Sequence, residues 1–488
     1  MRHRGGTTAV AAMVVALTAL ALVPTSGSAA PVVSDWTQYL HDNTRSGYTT
    51  DGAVTVANAP NLSARPNWPV NLGGQTISTQ PLVVNGVVYS GSWDGNEYAI
   101  SSSGSVIWKT ALGITDPNNS ACPYPVGVSS TAAFASVTVG GDSHPSSVLF
   151  LGAGGNDKVG GGQARVDALD AATGAIRWSV PVGASPATFL WSSPVVYTPA
   201  GATAPSVYIG VASYGDCPLV QGKVLQFDAR NGRLQYEFDT VPHGCLGGSV
   251  WGSPTIDPSD GSVYVATGNG DSCSTPGGHN ESVIKLRASN LSMVGSWQIP
   301  ARQSFFDNDF GSTPTLFTGT VTPNGARRSL VGVAAKTGLF YIFNRANVAA
   351  GPVAELRIAQ PGGPDQGLGS ISPAAWDGSR LYIGGGQPFA NNSSLRGVVY
   401  AWNPNNLSAP VWTDPMPGTV LGAVTAAPGL VIFGQGPTVS VVRASDGSGL
   451  RWLTAGSGVF EGAPSLSRGV LYEGDTNGNL FAYSVNGA

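Results

Sequence analysis

Charge, histidine, cysteine and long apolar runs are all scarce in this 488-residue chain, and each scarcity removes a class of function. Charged residues make up 11%, and 24 basic side chains are outnumbered by 28 acidic ones, so neither a disordered polyelectrolyte nor a basic nucleic-acid footprint is present. Beyond residue 30 no uncharged apolar run reaches the roughly 18 residues of a membrane span, which excludes a multispanning membrane protein. The five histidines show no i, i+4 metal spacing and no G-x-S-x-G occurs, which leaves little ground for a zinc or serine hydrolase. None of the four cysteines lies in a C-x-x-C pair, so zinc ribbons, thioredoxin-like redox sites and covalently attached c-type haem are disfavoured. What the chain has in quantity is Gly 67 and Pro 35, too much punctuation for a helical protein. A turn-rich, all-β protein remains.

The N-terminus has the layout of a secretory signal peptide over residues 1–29: Arg2, His3 and Arg4, an apolar run from Ala9 to Val23, then Pro24 and the small residues Gly27, Ser28 and Ala29. No cysteine follows the run to carry a lipid, and no late apolar tail follows. The expectation is a secreted, extracellular protein without a membrane anchor, whose single domain occupies 30–488. In an oxidising destination Cys122, Cys217, Cys245 and Cys273 suggest two structural disulfides, with three pairings open.

Self-similarity organises the rest. An apolar strand, a turn with Gly or Asn and then an aromatic recur, most clearly in Val166-Asp167-Ala168-Leu169-Asp170-Ala171-Ala172-Thr173-Gly174-Ala175-Ile176-Arg177-Trp178. From Trp108 to Trp452 is 344 residues for six steps, a mean near 57, which divides the mature length into about eight units. Repeats of that size holding several strands each indicate a β-propeller. A Ser/Thr-rich tripeptide ending in proline opens most units, and the prolines at 194, 254, 314 and 373 are 60, 60 and 59 apart, as expected of innermost strands converging on an axis. The last unit stops after Leu480–Tyr483 without an outer strand. Residues Asp35–Leu40 alternate in polarity and are expected to supply it, with Trp36 as the eighth packing aromatic, so that the ring is an eight-bladed β-propeller closed by the N-terminal strand.

The pattern Ala168-x-Asp170-x-x-Thr173-Gly174-x-x-x-Trp178, repeated around a ring, resembles the tryptophan-docking motif of the pyrroloquinoline quinone (PQQ) repeat family. That family holds both quinoprotein alcohol dehydrogenases and catalytically silent scaffolds. The resemblance implies that each tryptophan packs against small residues of the next motif; it does not by itself imply activity. A PQQ site wants an aromatic floor, cationic neutralisation, oxygen ligands for a metal and a carboxylate base. By resemblance, Trp251 in Ser249-Val250-Trp251-Gly252-Ser253-Pro254 takes the place of the floor, Asn269 in Thr267-Gly268-Asn269 that of a metal ligand, and Asp216 that of a metal-binding glutamate, one methylene shorter. Asp307-Asn308-Asp309-Phe310-Gly311 resembles the segment that carries the general base, which is Asp309 or Asp307, with Asp309 the first choice; if both face the site, the spare carboxylate is a further metal ligand. Lys336 in Lys336-Thr337-Gly338 resembles the cation at the quinone oxygens.

Two departures accompany the resemblance. The adjacent cysteine pair that covers PQQ in the family's alcohol dehydrogenases is missing, and no haem motif provides an electron exit. Each of the six residues also has a plain alternative as packing, turn or surface residue; it is their order along the chain, all on one face of the ring, that points to a site. The same face carries the cysteines, in an expected pairing of Cys122 with Cys217 and Cys245 with Cys273. Together with local wording such as Tyr214-Gly215-Asp216-Cys217-Pro218, which resembles secreted polyvinyl-alcohol-dehydrogenase-like proteins, the resemblance implies a PQQ- and Ca²⁺-dependent oxidation of a secondary or polymeric alcohol by a monomer that needs an external electron acceptor and binds no nucleic acid. The alternative is a non-catalytic propeller that binds a partner protein or extracellular polymer.

Overall fold

The computed structural model describes residues 1–3, 5–6, 32–118, 120, 122–155, 162–270, 278–303, 307–389 and 392–488. The segment expected to be a signal peptide lies largely outside them, as does Cys273. Residues from Val32 to Ala488 form one compact unit of eight antiparallel sheets. Each sheet is a blade whose strands run in chain order from the axis outward, except in the blade that closes the ring, and blade 1 comprises Leu82–Val84, Val87–Gly91, Asn96–Ser101 and Val106–Ala111. Among the described residues the only helical turns are three short 3₁₀ segments, and no helix is long and apolar enough to cross a membrane.

The proline tripeptides stand where their spacing places them, immediately ahead of the inner strands Val195–Tyr197, Thr255–Asp257 and Thr315–Gly319 of blades 3, 4 and 5. Their Ser/Thr content has a specific cause. The backbone N–H of Gln80 donates to Thr131 Oγ1 at 2.8 Å, that of Thr131 to Ser193 Oγ at 2.9 Å, that of Ser193 to Ser253 Oγ at 2.9 Å and that of Ser253 to Thr313 Oγ1 at 2.9 Å. These donors lie just ahead of the inner strands, outside the sheet ladders, and need partners; a hydroxyl from the next blade satisfies one per step and fixes adjacent blades in phase.

Tryptophans on the outer strands clamp neighbouring blades. Trp108 and Trp178 donate their indole N–H to Ala171 O at 3.1 Å and Ala229 O at 3.0 Å in the following blade, and Trp412 does the same to Ala444 O at 3.0 Å. The glycine of each recipient motif has positive φ and leaves space for the ring: a Cβ on Gly174 would lie 2.6 Å from Trp108 and one on Gly232 2.8 Å from Trp178.

Closure of the ring differs from the expectation for Asp35–Leu40. The outer part of blade 8 is Leu62–Ala64 and Val70–Asn71, both paired with Asn479–Val485 in registers Leu62↔Val485 and Val70↔Leu480. Trp68, not Trp36, is the docking tryptophan of blade 8: it packs edge-on against Tyr472 at 5.6 Å and donates to Ser102 O of blade 1 at 3.4 Å, beside Gly104. The reason is burial. Outer strands here are half-exposed, whereas Trp36 and Leu40 are wholly buried and belong at the axis, where Trp36 exchanges backbone hydrogen bonds with Val83 of blade 1's inner strand.

Candidate active site

The loops ahead of the inner strands and those joining second to third strands share one face, and between blades 3, 4 and 5 they enclose a cavity of 320 Å³, at the small end of ligand-binding pockets (about 300–1,000 Å³). Trp251, Asn269, Asp216, Asp307, Asp309 and Lys336 all line it. The six residues singled out in the sequence are brought together from three blades.

Trp251 lies three residues ahead of Pro254, where the chain turns into the inner strand of blade 4. Its ring reaches toward blade 5 and rests on Gly311, which occupies the same position relative to Pro314; a Cβ on Gly311 would collide with Trp251 Cη2 and Cζ2. The indole N–H donates to Asp309 Oδ2 at 3.1 Å, and Lys336 Nζ stands 5.1 Å above the ring centroid. Gly268 is tight for a similar reason, since a Cβ there would lie 3.0 Å from Asp309 Oδ2 and 3.3 Å from the Trp251 indole nitrogen.

Asp309 is 3% exposed. The backbone N–H of Lys336 donates to its carbonyl at 3.1 Å, so the carboxylate and the ammonium are set by one strand-end contact. Lys336 Nζ lies 2.7 Å from Asp309 Oδ1 and 2.6 Å from Asp307 Oδ1. Burial pushes the Asp309 carboxyl above the usual range and the charge of Lys336 pulls it partly back. For Lys336 burial opposes the charge, but the two carboxylates prevail and hold the ammonium more firmly than usual. Asp307, held at φ 58°, a conformation that aspartate tolerates better than most residues, accepts from Asn269 Nδ2 at 2.9 Å, and the same amide reaches Asp216 Oδ2 at 3.3 Å.

These contacts permit a test of whether a metal and a quinone fit. Among the described residues no three carboxylates, histidines or cysteines gather closely enough to hold a metal unaided. A half-turn of the Asn269 amide, however, presents Oδ1 where Nδ2 now meets Asp216 and Asp307, giving an all-oxygen, anionic set suited to a hard cation. The Oδ1 atom of Asp309 meets the Lys336 ammonium, which is itself at the cavity wall. Aromatic floor, cation and oxygen donors in one cavity fit a flat anionic cofactor with a metal.

The sequence reading missed Gly311 and the opposite, aromatic side of the cavity. Trp191 stands three residues before Pro194, the same phase as Trp251, and that spacing was the available signal. Its indole donates to Tyr214 O at 3.0 Å and its ring meets Phe189 at 4.6 Å and Trp93 at 6.4 Å. The expected Cys122–Cys217 disulfide is present behind this wall; the Cys273 half of the other expected pair lies outside the described residues.

Comparison with known proteins gives a consistent picture. Residues 212–366 match the family model of the glucose/ethanol/alcohol dehydrogenase β-propeller domain, and residues 48–271 match that of the outer membrane protein assembly factor BamB. A polyvinylalcohol dehydrogenase of a Pseudomonas species is 24% identical over 89% of this chain and 74% of its own. Quinohemoprotein alcohol dehydrogenase ADH IIB of Pseudomonas putida is 29% identical over 39% of this chain, which spans only 31% of that relative. Among solved structures, the quinohemoprotein alcohol dehydrogenase of Comamonas testosteroni superposes with a TM-score of 0.69 at 19% identity, covering 93% of this chain and 81% of that one. With eight blades, docked tryptophans and these matches, the chain is similar in fold and repeat pattern to the PQQ-repeat β-propeller proteins.

Proposed function

We propose that this protein is a secreted PQQ- and Ca²⁺-dependent dehydrogenase that oxidises a secondary or polymeric alcohol and passes the electrons to an external acceptor. The observation that carries the reading is the meeting of Trp251, Asp309, Lys336, Asp307, Asn269 and Asp216 on one cavity, in the order their resemblance to quinoprotein dehydrogenases requires. Bound PQQ supplies two-electron oxidation, and a bound cation Lewis acidity. The chain's own residues do the rest. Trp251, locked over Gly311, offers a flat face for stacking, and Asp216, Asn269 and Asp307 offer oxygens to the metal. Asp309 takes the hydroxyl proton; burial raises its proton affinity and makes it a stronger base than an exposed carboxylate. Lys336, kept cationic, neutralises negative charge beside Trp251.

The test is titration of metal-stripped protein with PQQ, with and without Ca²⁺, followed by tryptophan quenching, and then alcohol oxidation with a dye acceptor. Trp251→Ala is expected to lose PQQ binding. Asp309→Asn is expected to keep it and to lose turnover by at least about 10²-fold. No binding at tens of micromolar PQQ would favour the second reading, a non-catalytic scaffold, for which the BamB match and the mutual neutralisation of Lys336, Asp307 and Asp309 speak.

A further inference from the structure

Asp216 differs from the other site residues in how little of the fold holds it. Asn269 is fixed by backbone bonds, with Gly248 N–H donating to its carbonyl at 2.7 Å, and Asp309 and Lys336 are joined through their backbones. The chain leading to Asp216 is anchored at Tyr214, whose N–H donates to Ala187 O at 2.9 Å, whose carbonyl accepts from the Trp191 indole and whose hydroxyl donates to Tyr124 O. Beyond that, neither Gly215 nor Asp216 makes a backbone hydrogen bond to another described residue. The next fixed point is Cys217, bonded to Cys122 across 95 residues of sequence from the top of blade 2. The disulfide also lies flat against the loop: a Cβ on Gly215 would meet Cys122 Sγ at 2.9 Å and Cys217 Sγ at 3.4 Å.

We infer that the Cys122–Cys217 disulfide is the positioning element for Asp216, holding its carboxylate in the cavity at the distance from Asn269 at which both bind one cation. The inference rests on the proposed role of Asp216 as a metal ligand. Its physical basis is preorganisation. A two-residue arm between two anchors loses little freedom when its carboxylate meets a metal, whereas an arm free at one end must be ordered at binding, and outer-shell partners of ligands commonly contribute about 10–100-fold in metal affinity. The shorter reach of aspartate sharpens the requirement, because no extra methylene is present to recover a lost ångström.

Binding of Tb³⁺ to the full oxidised protein, read as tryptophan-sensitised luminescence with Ca²⁺ as competitor, tests it. Wild type is expected to bind one ion that Ca²⁺ displaces, Asp216→Ala to bind it more weakly, and the Cys122→Ser/Cys217→Ser variant to bind about ten-fold or more weakly. Adding Asp216→Ala to that double variant is expected to cost little further, a non-additivity that general loosening of the fold would not give. A cysteine-free variant that binds like wild type while Asp216→Ala binds weakly overturns the inference and leaves the ligand role standing. Absence of binding in wild type, or wild-type affinity in Asp216→Ala, removes the ligand role and the inference with it. Should the cysteine-free variant fail to fold, Gly215→Ala keeps both cysteines but forces the loop off the disulfide; several-fold weaker binding is expected, and wild-type affinity would overturn the inference.

Discussion

Gly311 shows how a site can depend on a side chain that is missing. The Trp251 ring occupies the space a Cβ would take, so Gly311→Ala is expected to displace the ring, break its hydrogen bond to Asp309 and weaken PQQ binding at least ten-fold while the circular dichroism spectrum stays that of the wild type; unchanged affinity would show that the ring has another seat. Glu473 makes the opposite point. It lies in the second strand of blade 8 with no exposed surface and no hydrogen-bond partner for either carboxyl oxygen, facing Gly434 and Phe460. Burial pushes its carboxyl well above the ordinary 4.5, so folding takes up a proton. Stability is therefore fullest below the ordinary value and declines as pH rises from there toward the raised one. Glu473→Gln is expected to flatten that decline, with a gain over wild type of about 1–3 kcal/mol at pH 8 and little at pH 5 in denaturant titrations; parallel pH profiles would refute it. The contrast also marks what a sequence discloses at this scale. Trp251, Asn269 and Asp309 stood out because each lies in a short segment that resembles a quinoprotein dehydrogenase segment. Gly311 and Glu473 did not, because a glycine's function lies in what its neighbour occupies and a glutamate in a strand gives no sign of which face is dry.

At the scale of the element, the docking tryptophans divide into those with a recipient motif and those without. Trp178 has both the hydrogen bond to Ala229 and the berth over Gly232, whereas Trp452, the same position in blade 7, is 59% exposed. The recipient for Trp452 would be the last turn of blade 8, which is Val485-Asn486-Gly487 at the chain end and lacks the Ala-x-x-Gly wording. Trp178→Ala should thus cost about 3–5 kcal/mol, and Trp452→Ala about 0.5 kcal/mol or less; equal costs by chemical denaturation would show that docking is not the source of the motif's stability. Blade number, inner-strand position and docking were legible because they repeat. The closing strand was misplaced because it occurs once: an alternating pattern over Asp35–Leu40 and one over Leu62–Leu72 look alike, and the full burial of Trp36 is decided by distant residues. Trp68, followed by a proline that cannot continue a ladder, was the better signal.

At the scale of the whole molecule, the segment from Ser34 to Asp51 is what makes eight blades one body. It circles inside the ring and bonds to every blade: Trp36 with Val83, Thr37 O with Phe134 N–H, Asn43 O with Ile256 N–H, Thr44 O with Leu316 N–H, Ser46 O with Trp376 N–H, Gly47 O with Ala426 N–H and Ser34 O with Ser467 Oγ. Blade 3 is reached by Arg45, whose guanidinium, with no exposed surface, donates to Ser193 O at 3.3 Å, Pro194 O at 3.1 Å and Pro254 O at 2.9 Å, and to Tyr39 O at 2.5 Å. Inner strands expose unpaired carbonyls to the axis, and one planar cation with five donors answers several at once. Burial there draws the Arg45 pKa down to about 10, which still leaves it charged at neutral pH. Arg45→Met would keep the stem and strip the donors, leaving those carbonyls dry; charge-assisted bonds contribute about 1.5–3 kcal/mol each, so a loss of at least about 3 kcal/mol is expected. Because the segment ties all blades, the loss should lower a single cooperative transition in calorimetry and raise hydrogen exchange in the inner strands of blades 3 and 4 together with the rest of the ring. An early transition confined to blades 1 and 8 would instead show that closure by Leu62–Asn71 alone holds the ring and that the axial segment is a passenger.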